Sequence, residues 1–422
     1  MTVPRLALLS LSLIVACKSP ERGLGEASTD QAVLADTPGL AHLADALDDP
    51  AAELLDLFDD ELSFATAPDP TALFSSQHDA HAALADGTGT TLNVLTFNAG
   101  LLGRNYLIFH VEVPQLDARR ERTGEELFAS GNDILFLQEV WEVDDAERIQ
   151  AAGEAAGYTV WRPDKRKPQR ETGLVMAVRS DLIASEGSFD VVQYDAQRKA
   201  ENMPGPNLKR GWIQASFTMA DTGVEVHLFN THLTPYYDRS GTRSLQGRQL
   251  GLEIAQVPDD ALVLVGGDFN AGWYYADDTW VDAEGEEFKG WWLNPILPAV
   301  LSHYGGLSDL ANLAELVPEV SAGQAVPTGA DATWLDTPYG DEAVCDTPNI
   351  YTATDCNSHY HSSYAATEYP ARMDLLFVRD GTGKMRARSR ERAFVEHLDF
   401  GEAGSFELSD HFGQQVTIEI VD

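Results

Sequence analysis

The chain has 422 residues, 44% of them hydrophobic, the balance of a globular protein with a sizeable core rather than of a disordered chain. Asp and Glu number 67 against 29 Lys and Arg, a formal charge of −38. That excess argues against a protein that grips long stretches of nucleic acid by charge, because such affinity comes from cationic side chains displacing counterions.

At the start of the chain, Arg5 precedes an apolar run of eleven residues, Leu6–Ala16. A bilayer span takes about 20 apolar residues, so residues 1–16 read as an export signal. The run ends in "LIVAC", with a small residue directly before Cys17. This resembles the lipobox of bacterial lipoproteins. The resemblance implies that Cys17 becomes the lipidated first residue and anchors the chain at the cell envelope. Lys18 in the next position points to the outer membrane or cell surface. Of the three cysteines, Cys345 and Cys356 are then left to pair outside the cytoplasm.

Residues 17–90 read as an acidic, Ala/Leu-rich tether. From Gly23 to Thr90 there are fourteen Asp or Glu and no Lys or Arg. "AHLADALDDPAAELLDLFDDEL" predicts short amphipathic helices, broken by Pro38, Pro50, Pro68 and Pro70. From Thr91 to Asp422 the pattern becomes short aliphatic runs that end in polar residues. "TLNVLTFNAG" is a strand ending in Asn98. A helix containing "ARRERTGEELFAS" follows, then the strand "NDILFLQEVWE" ending in Glu139. "TGLVMAVRS" and "GWIQASFTM" look like paired strands, and "VEVHLFNTHLTP" ends in His232. "ALVLVGGDFN" presents Asp268 and Asn270, "ARMDLLFVRD" carries Asp374, and "ELSDHFG" carries Asp410 and His411. "LQGRQLGLEIAQV" and "LSDLANLAELV" predict covering helices. The expected fold is α/β: a four-layer sandwich of two packed, mainly antiparallel sheets flanked by helices. No Gly-rich phosphate loop joins a strand to a helix, which argues against a dinucleotide-binding sheet.

In this order, Asn98, "QEV" at Glu139, "THL" at His232, "GDFN" at Asp268 and Asn270, "RMDLLFV" at Asp374 and "SDHFG" at Asp410–His411 resemble the motifs of the endonuclease/exonuclease/phosphatase superfamily. Each motif alone is weak; six in order across the domain 91–422 are specific. The resemblance implies a deoxyribonuclease-I-like fold and metal-dependent hydrolysis of a phosphate ester. A phosphodiester is an anion, so an attacking water needs charge neutralisation as well as activation. The implied cofactor is Mg2+, with Mn2+ as a substitute, since such ions take few carboxylates and keep several waters. Glu139 is the expected ligand, with Asn98 and Asp410 beside it. His411 would contact the phosphate or act as base, oriented by Asp374. Asp268 would position or deprotonate the water, Asn270 would hold a phosphoryl oxygen, and His232 would protonate the leaving oxygen. In "LVLVGGDFN", Gly266 and Gly267 would let the chain turn against a closely approaching phosphate. Asp268 and Asn270, two apart on an extended segment, would share a face, with Phe269 packing the other way. His227 reads as structural, and "NSHYHSS", with His359 and His361, as a polar loop.

Within the superfamily the neutral sphingomyelinase branch is the closest resemblance, through "FLQEVWEVDDAERI", "KRGWIQASF" and "HLFNTHLTPYYDRSGTRSLQGRQLGLEI". On that resemblance Lys209 is a candidate for binding substrate, and the expected activity is a phospholipid phosphodiesterase. The acidic tether and the insert after Asn270 depart from the branch pattern and leave the substrate open. The insert, Trp273 to Trp292, holds four of the eight tryptophans, suited to a bilayer interface, with "FKGWWLNP" as its tip, or to an aromatic cap on the core. By contrast, "RPDKRKPQR" places five basic residues within nine, Arg162–Arg170, suited to nucleic acid or anionic headgroups. The alternatives are therefore an exported nuclease of the same fold or a small-molecule or inositol phosphate phosphatase. A monomer is expected.

Overall fold

The computed structural model describes residues 89–106, 109–112, 115–164, 172–196, 209–235, 240–271, 280–281, 287–288, 296–310 and 373–421. These all belong to one unit, Leu62–Asp422. Cys17, Cys345, Cys356, His359, His361, Trp291 and Trp292 lie outside the described residues, as does most of the basic loop after Asp164.

Two six-stranded sheets carry the fold. The first contains β1 (Gly89–Leu101), β4 (Ile134–Val140), β5 (Tyr158–Trp161), β6 (Val175–Arg179), β15 (Met385–Ala393) and β18 (Gly413–Val421). Its order is β15-β18-β1-β4-β6-β5. The second contains β7 (Ile183–Gln193), β8 (Gly211–Met219), β9 (Glu225–His232), β10 (Leu262–Asp268), β13 (Ser308–Asp309) and β14 (Asp374–Asp380). Its order is β13-β14-β10-β9-β8-β7. Three small ladders complete the strands: β2 (Gly103–Tyr106) with β3 (Phe109–Glu112), β11 (Trp280–Val281) with β12 (Glu287–Phe288), and β16 (Leu398–Asp399) with β17 (Ser405–Phe406). Each large sheet has one parallel pair near its middle, β1–β4 and β9–β10, and is otherwise antiparallel.

Strand alternation makes the layers. On β1, β4 and β10 the residues Leu92, Val94, Ile134, Phe136, Leu262 and Leu264 fill the core between the sheets. Their neighbours Leu95, Phe97, Leu135 and Leu137 face outward from the first sheet, under helices α1 (Leu116–Ala129) and α2 (Val143–Ala155). Val263 and Val265 do the same on the second sheet, under α3 (Ser240–Ile254) and α4 (Ile296–Gly305). Central strands covered on both faces must be apolar throughout. This is why "ILFL" and "LVLV" read as unbroken runs. The molecule is the expected four-layer α/β sandwich. Among the described residues no helix is long and apolar enough to cross a membrane.

Two expectations change. "TGLVMAVRS" and "GWIQASFTM" form β6 and β8, which lie in different sheets; β8 pairs instead with β7 and β9. β7 escapes sequence reading because it is an edge strand whose middle, from Ala184 to Asp190, is exposed and polar, with no apolar run to mark it. The expected helix "LSDLANLAELV" opens as strand, Ser308–Asp309 on β14, and the covering helix α4 precedes it. Beyond Leu310 that segment lies outside the described residues.

Candidate active site

The site sits where the inter-sheet core runs out at the carboxyl ends of the two parallel pairs. Residues two apart on a strand share a face, so each inward row can be followed toward this end. The rows run Val94–Thr96–Asn98, Phe136–Gln138, Leu228–Asn230–His232 and Leu264–Gly266–Asp268. They pass from apolar to small or neutral polar residues, and the two rows of the second sheet go on to the ionisable His232 and Asp268.

Sheet register assembles the second sheet's half. Asp268 stands opposite His232 on β9 and opposite Asp374 on β14, so three ionisable groups occupy one rung. Facing carboxylates in one rung are destabilising unless cations or donors intervene, and here they do. His232 Nε2 lies 3.3 Å from Asp268 Oδ2. Asp374 Oδ2 lies 2.8 Å from His411 Nδ1, whose ring reaches over from the loop before β18. The first sheet contributes Asn98, whose Nδ2 donates to Asp268 Oδ2 at 2.9 Å and approaches His411 Nε2 at 3.4 Å. Asn98, His232, Asp268, Asn270, Asp374 and His411 are all buried.

Two residues here have left-handed backbones, Glu139 at φ 57° and Asn270 at φ 48°. Such conformations are costly for residues other than glycine and cluster where function requires a particular direction. Asn270 is therefore not the extended partner of Asp268 expected from the sequence. β10 ends at Asp268, whose Oδ1 accepts the Asn270 backbone N–H at 2.8 Å, and the left-handed turn brings Asn270 back toward Leu233. Its Nδ2 donates to the Leu233 carbonyl at 3.1 Å. Phe269 packs away into the helix-side core, edge-on to Phe377 at 5.0 Å between ring centres, as expected.

The glycine reading also changes. Gly266 and Gly267 lie inside β10, not in a turn at the phosphate. A methyl group at Gly266 would strike the Phe136 ring of the opposite sheet, and one at Gly267 would strike the Thr231 carbonyl. They set the closeness of the sheets and strands. The glycine that does shape the site is Gly100, at φ 55°. A methyl group there would overlap Asp410 Oδ1 and lie 2.8 Å from Ser409 Oγ.

Electrostatics divides the site in two. Burial, and then Asp410 beside it, raises the Glu139 carboxyl to about 7. Burial lowers the His232 ring to about 4, and Arg210 adds to that effect. Burial works against a charge on Asp268 as well, but His232, His411 and the Asn270 N–H outweigh it and hold the carboxyl below its usual range. For His411 burial is likewise overcome, here by Asp374, Asp268 and Asp410, and the ring rises to about 10. At neutral pH the resting site thus holds an imidazolium at His411, a carboxylate at Asp268 and a neutral ring at His232.

A divalent cation fits the first-sheet half. Glu139, Asp410 and the Asn98 amide oxygen, which also accepts the Gly100 N–H at 3.0 Å, are hard oxygen donors. Burial first, and Asp410 beside it, work against a charge on Glu139, a cost that a bound cation would relieve. Ligand atoms of Asp268, Asp374 and His411 also lie within 4.8 Å of one another. There His411 Nδ1 is already engaged with Asp374, so that group is a hydrogen-bonded acid–base cluster rather than a cage for an oxygen-seeking ion.

Several residues at the site carried no readable signal in the sequence. Arg210 sends charge into the site, acting on both Glu139 and His232; its neighbour Lys209 is half-buried. The Arg210 guanidinium lies 5.5 Å from the centre of the buried Trp141 ring, which is 6.2 Å from the His232 ring. Gly173, at φ 69°, admits that indole: a methyl group there would lie 2.6 Å from it. Arg119 of α1 is fully buried and donates to the carbonyls of Ala99, Gly100 and Leu408, tying Asn98's strand end to the loop of Asp410 and His411. His227 is bonded to Glu225 at the surface end of its strand, as a structural histidine.

The ordered motifs meet at one mouth of the sandwich, and the family model of endonucleases, exonucleases and phosphatases matches residues 91–411. The chain belongs to this family. Its members are phosphoesterases, and the chain is a hydrolase of that class. No curated protein sequence matches the chain. Among solved structures it is similar to Danio rerio TDP2 complexed with single-strand DNA product, at 18% identity, TM-score 0.49, covering 78% of this chain and 99% of that one. It is also similar to an endonuclease/exonuclease/phosphatase from Bacteroides vulgatus, at 17% identity, TM-score 0.47, covering 78% and 99%. A third is beta toxin from Staphylococcus aureus, at 12% identity, TM-score 0.49, covering 77% and 99%.

Proposed function

We propose that the chain is an exported, lipid-anchored, Mg2+-dependent phosphodiesterase that cleaves a phospholipid of the sphingomyelin type. The observation that carries the phosphodiesterase reading is the single rung His232–Asp268–Asp374 facing Asn98, Glu139 and Asp410 across the mouth of the sandwich. Glu139, Asn98 and Asp410 would hold Mg2+, or Mn2+ in its place, which supplies charge neutralisation at the phosphate.

The chain's own groups divide the remaining work. His411, cationic because Asp374 sustains its proton, binds a phosphoryl oxygen and so is not the base. Asp268, charged and held by Asn98, orients the water and accepts its proton as the oxygen bonds to phosphorus. The bond from phosphorus to the leaving alcohol breaks on the opposite side. His232, 3.3 Å from Asp268, takes up the proton that Asp268 received and delivers it to the leaving oxygen, so the water's proton ends on the alcohol and both groups return to their resting state.

The lipid assignment is supported by the export signal ending at Cys17, by the charge of −38, and by the four tryptophans between Trp273 and Trp292. The basic segment Arg162–Arg170 favours the second reading, a nuclease at the same envelope location. Purified protein with Mg2+, offered sphingomyelin vesicles, plasmid DNA and bis(p-nitrophenyl) phosphate side by side, tests the two. Preferential turnover of the vesicles is expected; cleavage of DNA with the lipid untouched would replace the first reading by the second.

A further inference from the structure

One layer beneath the charged rung, the sheets are joined by three neutral polar side chains that are fully buried: Thr96, Gln138 and Asn230. Gln138 Nε2 donates to Asn230 Oδ1 at 2.8 Å and to Thr96 Oγ1 at 3.2 Å. Asn230 Nδ2 donates to the carbonyls of Leu137 and Val175, both at 2.8 Å. Asn230 belongs to the second sheet, and the other groups belong to the first. Both amide nitrogens and the Asn230 oxygen are satisfied, while Gln138 Oε1 has no partner among the described residues. The bonds that are made would each leave a further buried group unpaired if broken, which is costly.

What this network grips is specific. Leu137 and Val175 form the last rung of the β4–β6 ladder. The next backbone bond runs from Val140 N to Gly173 O at 2.9 Å. Between those points β4 has two residues, Gln138 and Glu139, against Leu174 alone on β6. This is a β-bulge, a device that re-aims a side chain beside a site. Its left-handed residue is Glu139. Regular pairing would continue the alternation and turn the Glu139 side chain away from the sheet interface.

We propose that Gln138 and Asn230 form a positioning pin: held to Thr96 and to the two carbonyls, the pair locks the β4 bulge and so sets the aim of the Glu139 carboxylate. The pin touches neither substrate nor metal. It couples the metal half on the first sheet to the acid–base half on the second, because Asn230 lies two residues before His232 on the same strand face. The inference rests on the reading of Glu139 as a metal ligand.

The test is Mn2+ binding to the full chain, read by calorimetry or electron paramagnetic resonance without substrate, alongside thermal melting. Losing an outer partner of a metal ligand typically weakens affinity roughly 10- to 100-fold, so Gln138→Met and Asn230→Leu should each weaken Mn2+ binding about tenfold or more. The double variant should be little worse than the weaker single, since the residues act as a unit. Val178→Ala, a core change on β6 within the inter-sheet layer, should lower the melting temperature and leave Mn2+ affinity unchanged. If Asn230→Leu does not fold, Gln138→Met decides, since it leaves both carbonyl bonds in place. Wild-type affinity in Gln138→Met, with Glu139→Gln abolishing binding, would overturn the pin while sparing the metal assignment. Absence of Mn2+ binding in the wild type would remove both.

Discussion

Replacing Asp374 by Asn perturbs one hydrogen bond and changes little shape. Asp374 is fully buried, and its Oδ2 holds His411 Nδ1 at 2.8 Å. Burial alone would push the His411 proton off; the neighbouring carboxylates, Asp374 first among them, keep it on and raise the ring to about 10. Without that charge only Asp268 and Asp410 are left to oppose burial, and the ring should lose its proton at lower pH than in the wild type. A hydrogen bond to a charged group is worth roughly 1.5–3 kcal/mol, which is about 10- to 150-fold in rate at neutral pH. The assay is kcat/KM on bis(p-nitrophenyl) phosphate from pH 5 to 9 with saturating Mg2+. The wild type should keep the cationic form throughout this range. Asp374→Asn should lose activity progressively as pH rises toward 9 and recover part of it toward pH 5. His411→Ala should cost more than Asp374→Asn at every pH and show no acid recovery. A uniform loss in Asp374→Asn, with the pH profile unchanged, would refute the argument that the carboxylate works by sustaining the ring's proton.

Chelation by EDTA should abolish hydrolysis and Mg2+ or Mn2+ should restore it; Glu139→Gln should raise the half-saturating metal concentration with the circular dichroism unchanged. In the metal-free protein Glu139 binds its proton more tightly folded than unfolded. Its contribution to stability is therefore complete below the ordinary 4.5 and lost as pH rises through about 7. In EDTA, Glu139→Gln should accordingly gain in melting temperature relative to wild type across that window, and Mg2+ should reverse the difference; a gap independent of pH would contradict the raised carboxyl. Cys17→Ser should release the protein from the membrane fraction and remove its acyl label, whereas an unacylated wild type would sink the anchor. Trp291→Ala with Trp292→Ala should lower hydrolysis of lipid in bilayers well over tenfold, taking roughly 1.5–3 kcal/mol per buried side chain, and leave a water-soluble phosphodiester unaffected. Equal loss on both substrates would assign the pair to the core.

Period-two alternation and the polar ends of the aliphatic runs were enough to read the strands of a sandwich, and the ordered resemblance of those ends to the family's motifs singled out Asn98, Glu139, His232, Asp268, Asp374 and His411. Those signals are local: a strand covered on both faces must be apolar, and its end must change character where the core stops. Register is not local, and only the tertiary structure could put His232, Asp268 and Asp374 on one rung or separate β6 from β8 into different sheets. Backbone strain is equally silent in a sequence, since Glu139 and Asn270 are ordinary letters until their neighbours force φ positive. The same holds for Arg119, Arg210, Gln138 and Asn230, whose roles depend on what lies across an interface from them. The glycines of "LVLVGGD" show the limit most directly. Their spacing suggested a phosphate turn, but a glycine's purpose is set by the atom that would occupy its missing side chain, and at Gly266 that atom belongs to Phe136 of the other sheet.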